Sequence, residues 1–219
     1  MRQLPRRIAQ LYVGLALYAV SMALVIQSGL GNMPWDVFHQ GMARRTGLSI
    51  GFWVIAFGLL ILLVWVPLRQ RPGLGTVSNI VVIGLLIDPV LRLVPRHEPL
   101  GMRVAFLLVG VVLNGLATAL YVGARMGPGP RDGLMTGLVA RTGRSVRLVR
   151  TSIEVTVVVA GILLGGTFGV GTLLYAVTIG PLVQVFLPRF TVPTGEPAVV
   201  APADAPDVVA AAARTTLGG

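Results

Sequence analysis

The chain contains no cysteine and no lysine, and only 12 % of its 219 residues are charged. Without cysteine there are no disulfides, no thiolate metal sites and no cysteine nucleophile. A soluble domain carries roughly 25 % charged residues, so the polar surface that such a domain needs is missing. A mean hydropathy of +0.82 also excludes disorder for most of the chain. Acids are scarce as well: eight against eighteen basic residues, all of them arginine, for a net charge of +10. In a soluble protein that balance would point to nucleic acid, but nucleic-acid binders need abundant exposed charge on a polar surface. What the chain has instead is long apolar runs, and beside such runs the position of each arginine reports orientation.

A transmembrane helix needs about 20 mostly apolar residues. Six stretches reach that length: Ile8–Leu30, Ile50–Leu68, Leu74–Val94, Met102–Gly123, Val146–Gly166 and Val170–Leu187. The first is too long for the apolar core of a signal peptide and is read as a retained span. With the N-terminus in the cytoplasm, the inner ends hold Arg2, Arg6, Arg7, Arg69, Arg71, Arg125, Arg131, Arg141, Arg144, Arg147, Arg150 and Arg189. The outer ends hold Arg44, Arg45, Arg92, Arg96 and Arg103. The excess predicts cytoplasmic N- and C-termini. Tyr12, Trp35, Trp53, Trp65 and Tyr121 lie near span ends, where amphipathic rings suit a membrane interface. Residues 191–219 turn to Ala, Pro and Val without a sustained period, which predicts a disordered cytoplasmic tail.

The chain matches itself at an offset of 96 residues without a gap. Gly31, Pro34, Asp36, Gly41, Arg45, Thr46, Gly47 and Ser49 fall on Gly127, Pro130, Asp132, Gly137, Arg141, Thr142, Gly143 and Ser145. Gly73, Gly75, Thr76, Ile83 and Gly84 fall on Gly169, Gly171, Thr172, Ile179 and Gly180. Shared hydrophobicity would not align Pro, Asp, Arg, Thr and Gly. The repeat predicts three spans in residues 1–95 and three in 96–190. Three is odd, so the second copy enters the membrane from the opposite side, the inverted arrangement common among secondary transporters.

The expected fold class is therefore an all-α membrane protein of six transmembrane helices in two inverted three-span repeats. Each repeat carries a short interfacial or re-entrant helix after its first span. The grammar of that helix is legible twice. Pro34 and Pro130 suit the first helical position; Asp36 and Asp132 place negative charge in the first turn. Arg45 and Arg141 complement the other end, Gly47 and Gly143 terminate it, and Ser49 and Ser145 are placed to cap the next span. About 12 residues cannot cross a bilayer, so these helices lie at the interface or dip into it. Gly41 and Gly137 permit close packing.

Gly47-Leu48-Ser49-Ile50-Gly51 matches a nucleophile-elbow pattern, with Asp36, His39 and His97 on the same side. That motif requires a strand-turn-helix setting, and the second copy keeps Ser145 and Asp132 while Met135 replaces His39. The serines read as capping residues, and the chain is not expected to be an enzyme. Ionisable groups inside spans are functional candidates. Asp88 with Arg92, and Glu154 with Arg150, stand at i,i+4 spacing and can pair along a helix face. Asn79 and Asn114 supply amides that hold helices together or bind a solute. Asp88, Glu154, Asn79 and Asn114 are the candidate substrate-binding residues; nothing in the sequence calls for a cofactor or metal.

Gly31-x-x-Pro34-Trp35-Asp36, Arg45-Thr46-Gly47-x-Ser49, Gly75-Thr76-x-x-Asn79 and Ile83-Gly84-x-x-Ile87-Asp88 resemble the YczE-type branch of the YczE/YitT bacterial membrane proteins. The resemblance covers about residues 5–190 and implies a multi-pass protein of the bacterial inner membrane. It passes on no substrate and no catalytic residue. The second copy departs from the first at Arg131 for Trp35, Tyr175 for Asn79 and Gln184 for Asp88, which predicts an asymmetric site in a duplicated frame. Two functions fit: a transporter or channel for a small solute, or a non-transporting accessory or scaffold protein. The lipid bilayer is the one expected partner; nucleic acid is not, and the sequence leaves an oligomer or protein partner open.

Overall fold

The computed structural model describes residues 3–96 and 99–193, and among them the secondary structure is entirely helical. Of the tail expected to be disordered from residue 191, residues 191–193 are placed. Val192 is buried with its N–H on Gly123 O, because the end of the helix Val170–Phe190 packs back on the helix Leu100–Gly123. Residues 194–219, Arg2 and His97 lie outside the described residues. Eight helices follow in order: α1 (Leu4–Ser28), α2 (Pro34–Thr46), α3 (Ile50–Trp65), α4 (Leu74–Leu93), α5 (Leu100–Gly123), α6 (Pro130–Thr142), α7 (Val146–Leu163) and α8 (Val170–Phe190). Every helix of the second set starts 96 residues after its counterpart in the first.

The punctuation recurs with the helices. Gly31 and Gly127 both adopt φ of +122°, a conformation that side chains rarely take. Gly47 and Gly143 end the short helices in the left-handed region. The Ser49 and Ser145 hydroxyls accept the Phe52 and Leu148 N–H at 3.1 and 3.3 Å. These caps satisfy N–H groups that the first helical turn leaves without intrahelical partners.

Four helices, α1, α4, α5 and α8, are long and apolar enough to cross a membrane. The pair α2–α3 passes the same test only when taken together, and it bends by 116° at its turn. The expected spans over Ile50–Leu68 and Val146–Gly166 do not stand alone by this measure. Helix α3 has 16 residues, and α7 carries Arg147, Arg150 and Glu154 in its 18.

The centre is the α1–α5 pair, and its contacts are reciprocal. A Cβ on Gly14 would meet Ala117 O, Leu120 Cβ and Tyr121 N at 2.7–3.1 Å. One on Gly110, the counterpart of Gly14, would meet Ser21 O, Leu24 Cβ and Val25 Cγ2 at 2.8–3.2 Å. Ser21, Leu24 and Val25 are the counterparts of Ala117, Leu120 and Tyr121. Arg7 donates to Ala124 O and Arg125 O at 2.8 and 2.5 Å; its counterpart Arg103 donates to Ser28 O and Gly29 O at 2.7 and 3.0 Å. The start of each helix thus meets the end of the other, so α1 and α5 run antiparallel. The loops follow suit: Gly75 N–H donates to Met126 O at 2.6 Å and Gly171 N–H to Leu30 O at 2.8 Å.

Around this centre α2 packs on α7, α3 on α6 and α4, α4 on α1, and α8 on α5. Small residues set the approach distances: Gly41 lies against the Gly161 carbonyl and Leu164, and Gly137 against Leu68 and Gln70. Where one half has bulk the other is cut back. Trp65 on α3 rests on Gly133 of α6, while its counterpart Gly161 on α7 lets the Val37–Phe38 backbone of α2 approach directly.

Candidate functional site

Helices α2 and α6 begin deep in the protein, and their first turns face each other. The Arg131 guanidinium lies over the Trp35 ring, 4.7 Å from its centroid. These two residues are each other's counterparts, so the contact falls on the line that relates the halves. A cation over an indole face is held by the ring quadrupole, and more firmly away from water. The two short helices also aim their positive dipole ends into this region.

Beside that contact is a cavity of about 20 Å³ lined in part by Trp35, His39, Phe57, Asn79, Pro130 and Arg131. About 10–15 Å³ of such volume holds one water. His39 is 2 % exposed and Asp36 likewise, with His39 Nδ1 3.5 Å from Asp36 Oδ1. That separation is too long for a well-formed hydrogen bond, and both atoms lack another partner. Asn32 is fully buried, and neither its Nδ2 nor its Oδ1 has a hydrogen-bond partner. A buried unsatisfied polar group costs about 1–3 kcal/mol. Four such atoms within eight residues of chain, at one helix start, make this the chemically unfinished part of the fold.

The neighbouring polar groups are, by contrast, well paired. Asn114 is fully buried; its Nδ2 donates to Ser21 Oγ at 2.9 Å and its Oδ1 accepts from the Tyr175 hydroxyl at 2.9 Å. Tyr121 donates to Asp132 Oδ2 at 3.2 Å and meets Tyr18 edge to face. Asp36 and Asp132 therefore differ: the second has a hydroxyl partner, and one oxygen of the first has none.

The residues singled out from the sequence separate in space. Asn79 lines the small cavity and Asn114 ties α1, α5 and α8 together. Asp88 does not pair with Arg92 as expected. Its Oδ1 accepts the Gly51 N–H at 3.1 Å, across to the start of α3. A helix N-terminus offers a carboxylate unsatisfied donors and a favourable dipole, and that outweighs a local ion pair. Glu154 does pair with Arg150, Oε1 to Nε at 3.1 Å, with both side chains about one-third exposed. In the repeated motif Pro34, Gly41, Gly47, Pro130, Gly137 and Gly143 shape the helices. Arg45 is exposed, and Arg141 donates to Pro67 O at 3.2 Å.

Sequence reasoning missed Asn32 and Arg131 as site residues, and it weighed His39 only as a catalytic base. The available signal was the substitution pattern inside the repeat. Trp35 faces Arg131, and Asn32 and His39 have Pro128 and Met135 as counterparts, so these three polar groups each belong to a single copy.

The family of unknown function DUF6198 matches residues 5–188. A Haemophilus influenzae protein described as uncharacterized is 41 % identical over 182 residues, covering 83 % of this chain and 84 % of its own length. The Bacillus subtilis membrane protein YczE, also described as uncharacterized, is 35 % identical over 180 residues, or 81 % of this chain and 84 % of its own. Bacillus subtilis YyaS is 30 % identical over 180 residues, or 80 % and 90 %. No solved structure matches. The apolar helices and these relatives together support a multi-pass membrane location, and the chain belongs to the YczE-type family of membrane proteins.

Proposed function

We propose that the chain is a small-solute transporter of the bacterial inner membrane, built on two inverted three-span repeats over residues 1–95 and 96–190. In this reading α3 and α7 are the remaining two spans, each shortened because α2 or α6 precedes it as a half-helix. Both termini are cytoplasmic, and no enzymatic step is involved. The reciprocal antiparallel packing of α1 and α5 supports the inverted frame, since homologous helices that pack antiparallel through the same face have opposite orientations. The observation that carries the functional reading is the meeting of two half-helix starts beside the unpartnered Asn32, Asp36 and His39. Buried polar groups without partners are costly, and a passing solute or ion satisfies them.

The smallness of the central cavity, about 20 Å³, favours a second reading as a membrane accessory or scaffold protein. Single cysteines separate the frames, because the native chain has none. Leu48→Cys and Arg144→Cys occupy exposed counterpart turns; in intact cells they label from opposite sides, and same-side labelling removes the inverted frame. For function, the purified chain in proteoliposomes is offered carboxylates, phosphates, amino acids and polyamines, with uptake read by mass spectrometry. Uptake of one class by wild type, lost in Asp36→Asn, is expected. A chain that takes up none of them and copurifies with a stable partner supports the scaffold reading.

A further inference from the structure

At the end of the molecule where α1 and α4 finish, the helices leave a cleft of about 360 Å³ between α1, α2 and α4. Its walls are apolar, from Ile26, Ile50 and Leu91, and its polar groups are Gln27, Gln40, Arg44 and Arg96. No carboxylate lines it among the described residues; the nearby Asp88 is turned onto the Gly51 N–H. Arg44 donates to Gly165 O at 2.5 Å and to Thr167 Oγ1 at 3.2 Å. Arg96 donates to Gln27 Oε1 at 3.3 Å, and the Gln27 amide N–H groups are spent on Leu91 O and Val94 O at 2.9 and 2.7 Å. Among the described residues, most N–H donors on each guanidinium have no partner, and both side chains are exposed.

The duplicated frame supplies an internal control for this cleft. The counterparts of Gln27, Gln40, Arg44 and Arg96 are Gly123, Thr136, Ala140 and Val192, so every polar group is lost or shortened in the second copy. There the chain after α8 closes the space: Val192 is fully buried, with its N–H on Gly123 O at 3.0 Å. The Gln10 amide bonds Phe190 O over the same spot at 2.7 Å. The fold therefore stands without this polar set, which one copy alone carries. Arginines here also run against the positive-inside bias, so orientation does not explain them.

We infer that this cleft binds a small soluble oxyanion with an apolar body, a carboxylate or a phosphate, held by Arg44 and Arg96 with the Gln40 amide, while Gln27 braces Arg96. Guanidinium groups match carboxylate and phosphate geometry in a bidentate way. A few polar groups in an apolar wall, at this volume, suit a small-molecule site. This names the solute class of the transport reading, with α2, which carries Asp36 and His39, as the floor of the cleft.

The test is equilibrium binding to the full chain in neutral detergent, read by thermal stabilisation and calorimetry at constant ionic strength. Citrate and inorganic phosphate are the probes, with glycerol, spermidine and phosphatidylglycerol as comparisons. Saturable binding of citrate or phosphate is expected, weakened roughly tenfold or more in Arg96→Gln and in Arg44→Gln. Arg96→Lys, which keeps charge without the fork, falls between. Arg69→Gln, elsewhere on the chain, stays at the wild-type affinity. Because Arg44 also braces Gly165, Arg96→Gln decides if Arg44→Gln fails to fold. Binding of neither anion, equal binding by Arg96→Gln, or stabilisation by phosphatidylglycerol alone overturns the assignment. Binding without uptake in proteoliposomes removes the transport reading and leaves the cleft; uptake without arginine-dependent binding does the reverse.

Discussion

Trp65 packs on Gly133, whereas at the equivalent contact of the other half Gly161 lies directly against the backbone of Val37 and Phe38. A Cβ added to Gly133 would stand 2.5 and 2.6 Å from Trp65 Cη2 and Cε2, and nearer still to Cζ2. Trp65 cannot swing aside freely, because it is 1 % exposed and its Nε1 donates to Pro130 O at 3.0 Å. Gly133→Val should therefore cost about 1–3 kcal/mol of overpacking, plus about 1 kcal/mol if the indole bond breaks. Trp65→Gly removes a filled volume, and large-to-small changes of a tryptophan cost about 3–5 kcal/mol in soluble cores. In lipid the lower end applies, since transfer of apolar surface contributes little between helices there. The double variant Trp65→Gly/Gly133→Val places at these positions the residue types that stand at their counterparts, Gly161 and Val37. It should be more stable than the sum of its parts by about 2 kcal/mol, within the range for coupled neighbours. Unfolding in mixed micelles by titrated SDS reads all four corners of the cycle. Additive losses would refute the claim that these pairs are interchangeable solutions to one packing problem.

Arg7→Ala and Arg103→Ala should each cost about 1–3 kcal/mol, since each removes two charge-assisted bonds from the last carbonyls of α5 or α1. The losses should be similar and additive in the same unfolding assay, because the sites lie at opposite ends of the α1–α5 pair. Asp88→Ala should destabilise by about 0.5–2 kcal/mol through loss of an acceptor at the start of α3, with Asp88→Asn close to wild type. Arg92→Ala should change stability far less, and an equal loss would restore the local ion pair. Gly31→Ala and Gly127→Ala should each add about 1–3 kcal/mol of backbone strain at φ of +122°. Both also press the new methyl to within 2.7–2.9 Å of Gly169 or Gly73, so reduced folded yield of both variants on size-exclusion is the readout.

What could be read from the sequence was what local chemistry controls. The short helices were legible because Pro34, Asp36, Gly47 and Ser49 act within one or two turns of themselves, and the second copy repeats each act. The Arg150–Glu154 pair was legible for the same reason. Asp88 was misassigned because its partner stands at the end of another helix, 37 residues away, and no spacing rule reports an unsatisfied N–H there. The small cavity was hidden for a stronger reason. Its walls come from α2, α3, α4 and α6, and the Trp35–Arg131 contact joins residues 96 apart. The repeat places those two residues in register, but only three-dimensional packing brings them together.

The halves share a frame and differ in which neighbour their third helix chooses. Helix α3 docks on α4 through Gly51 and Gly84, whose backbones approach so closely that a Cβ on Gly51 would run into the Gly84 carbonyl. Asp88 then closes the contact by accepting the Gly51 N–H. The counterparts of Gly51, Gly84 and Asp88 are Arg147, Gly180 and Gln184. An arginine at the position that must be glycine forbids the same docking, and Gly180 accordingly faces open space. Helix α7 packs instead on α2, where Gly161 and Gly166 receive the Val37 and Phe38 backbone. Helix α7 thus gives up the last helix of its own half for α2 of the other, while keeping its contact with α6. Asymmetry in a duplicated protein need not begin at a ligand site: here it begins at a helix-packing glycine. It sets α2 between its own half and the other, with the unpartnered Asn32, Asp36 and His39 at its start and the arginine-lined cleft along its side.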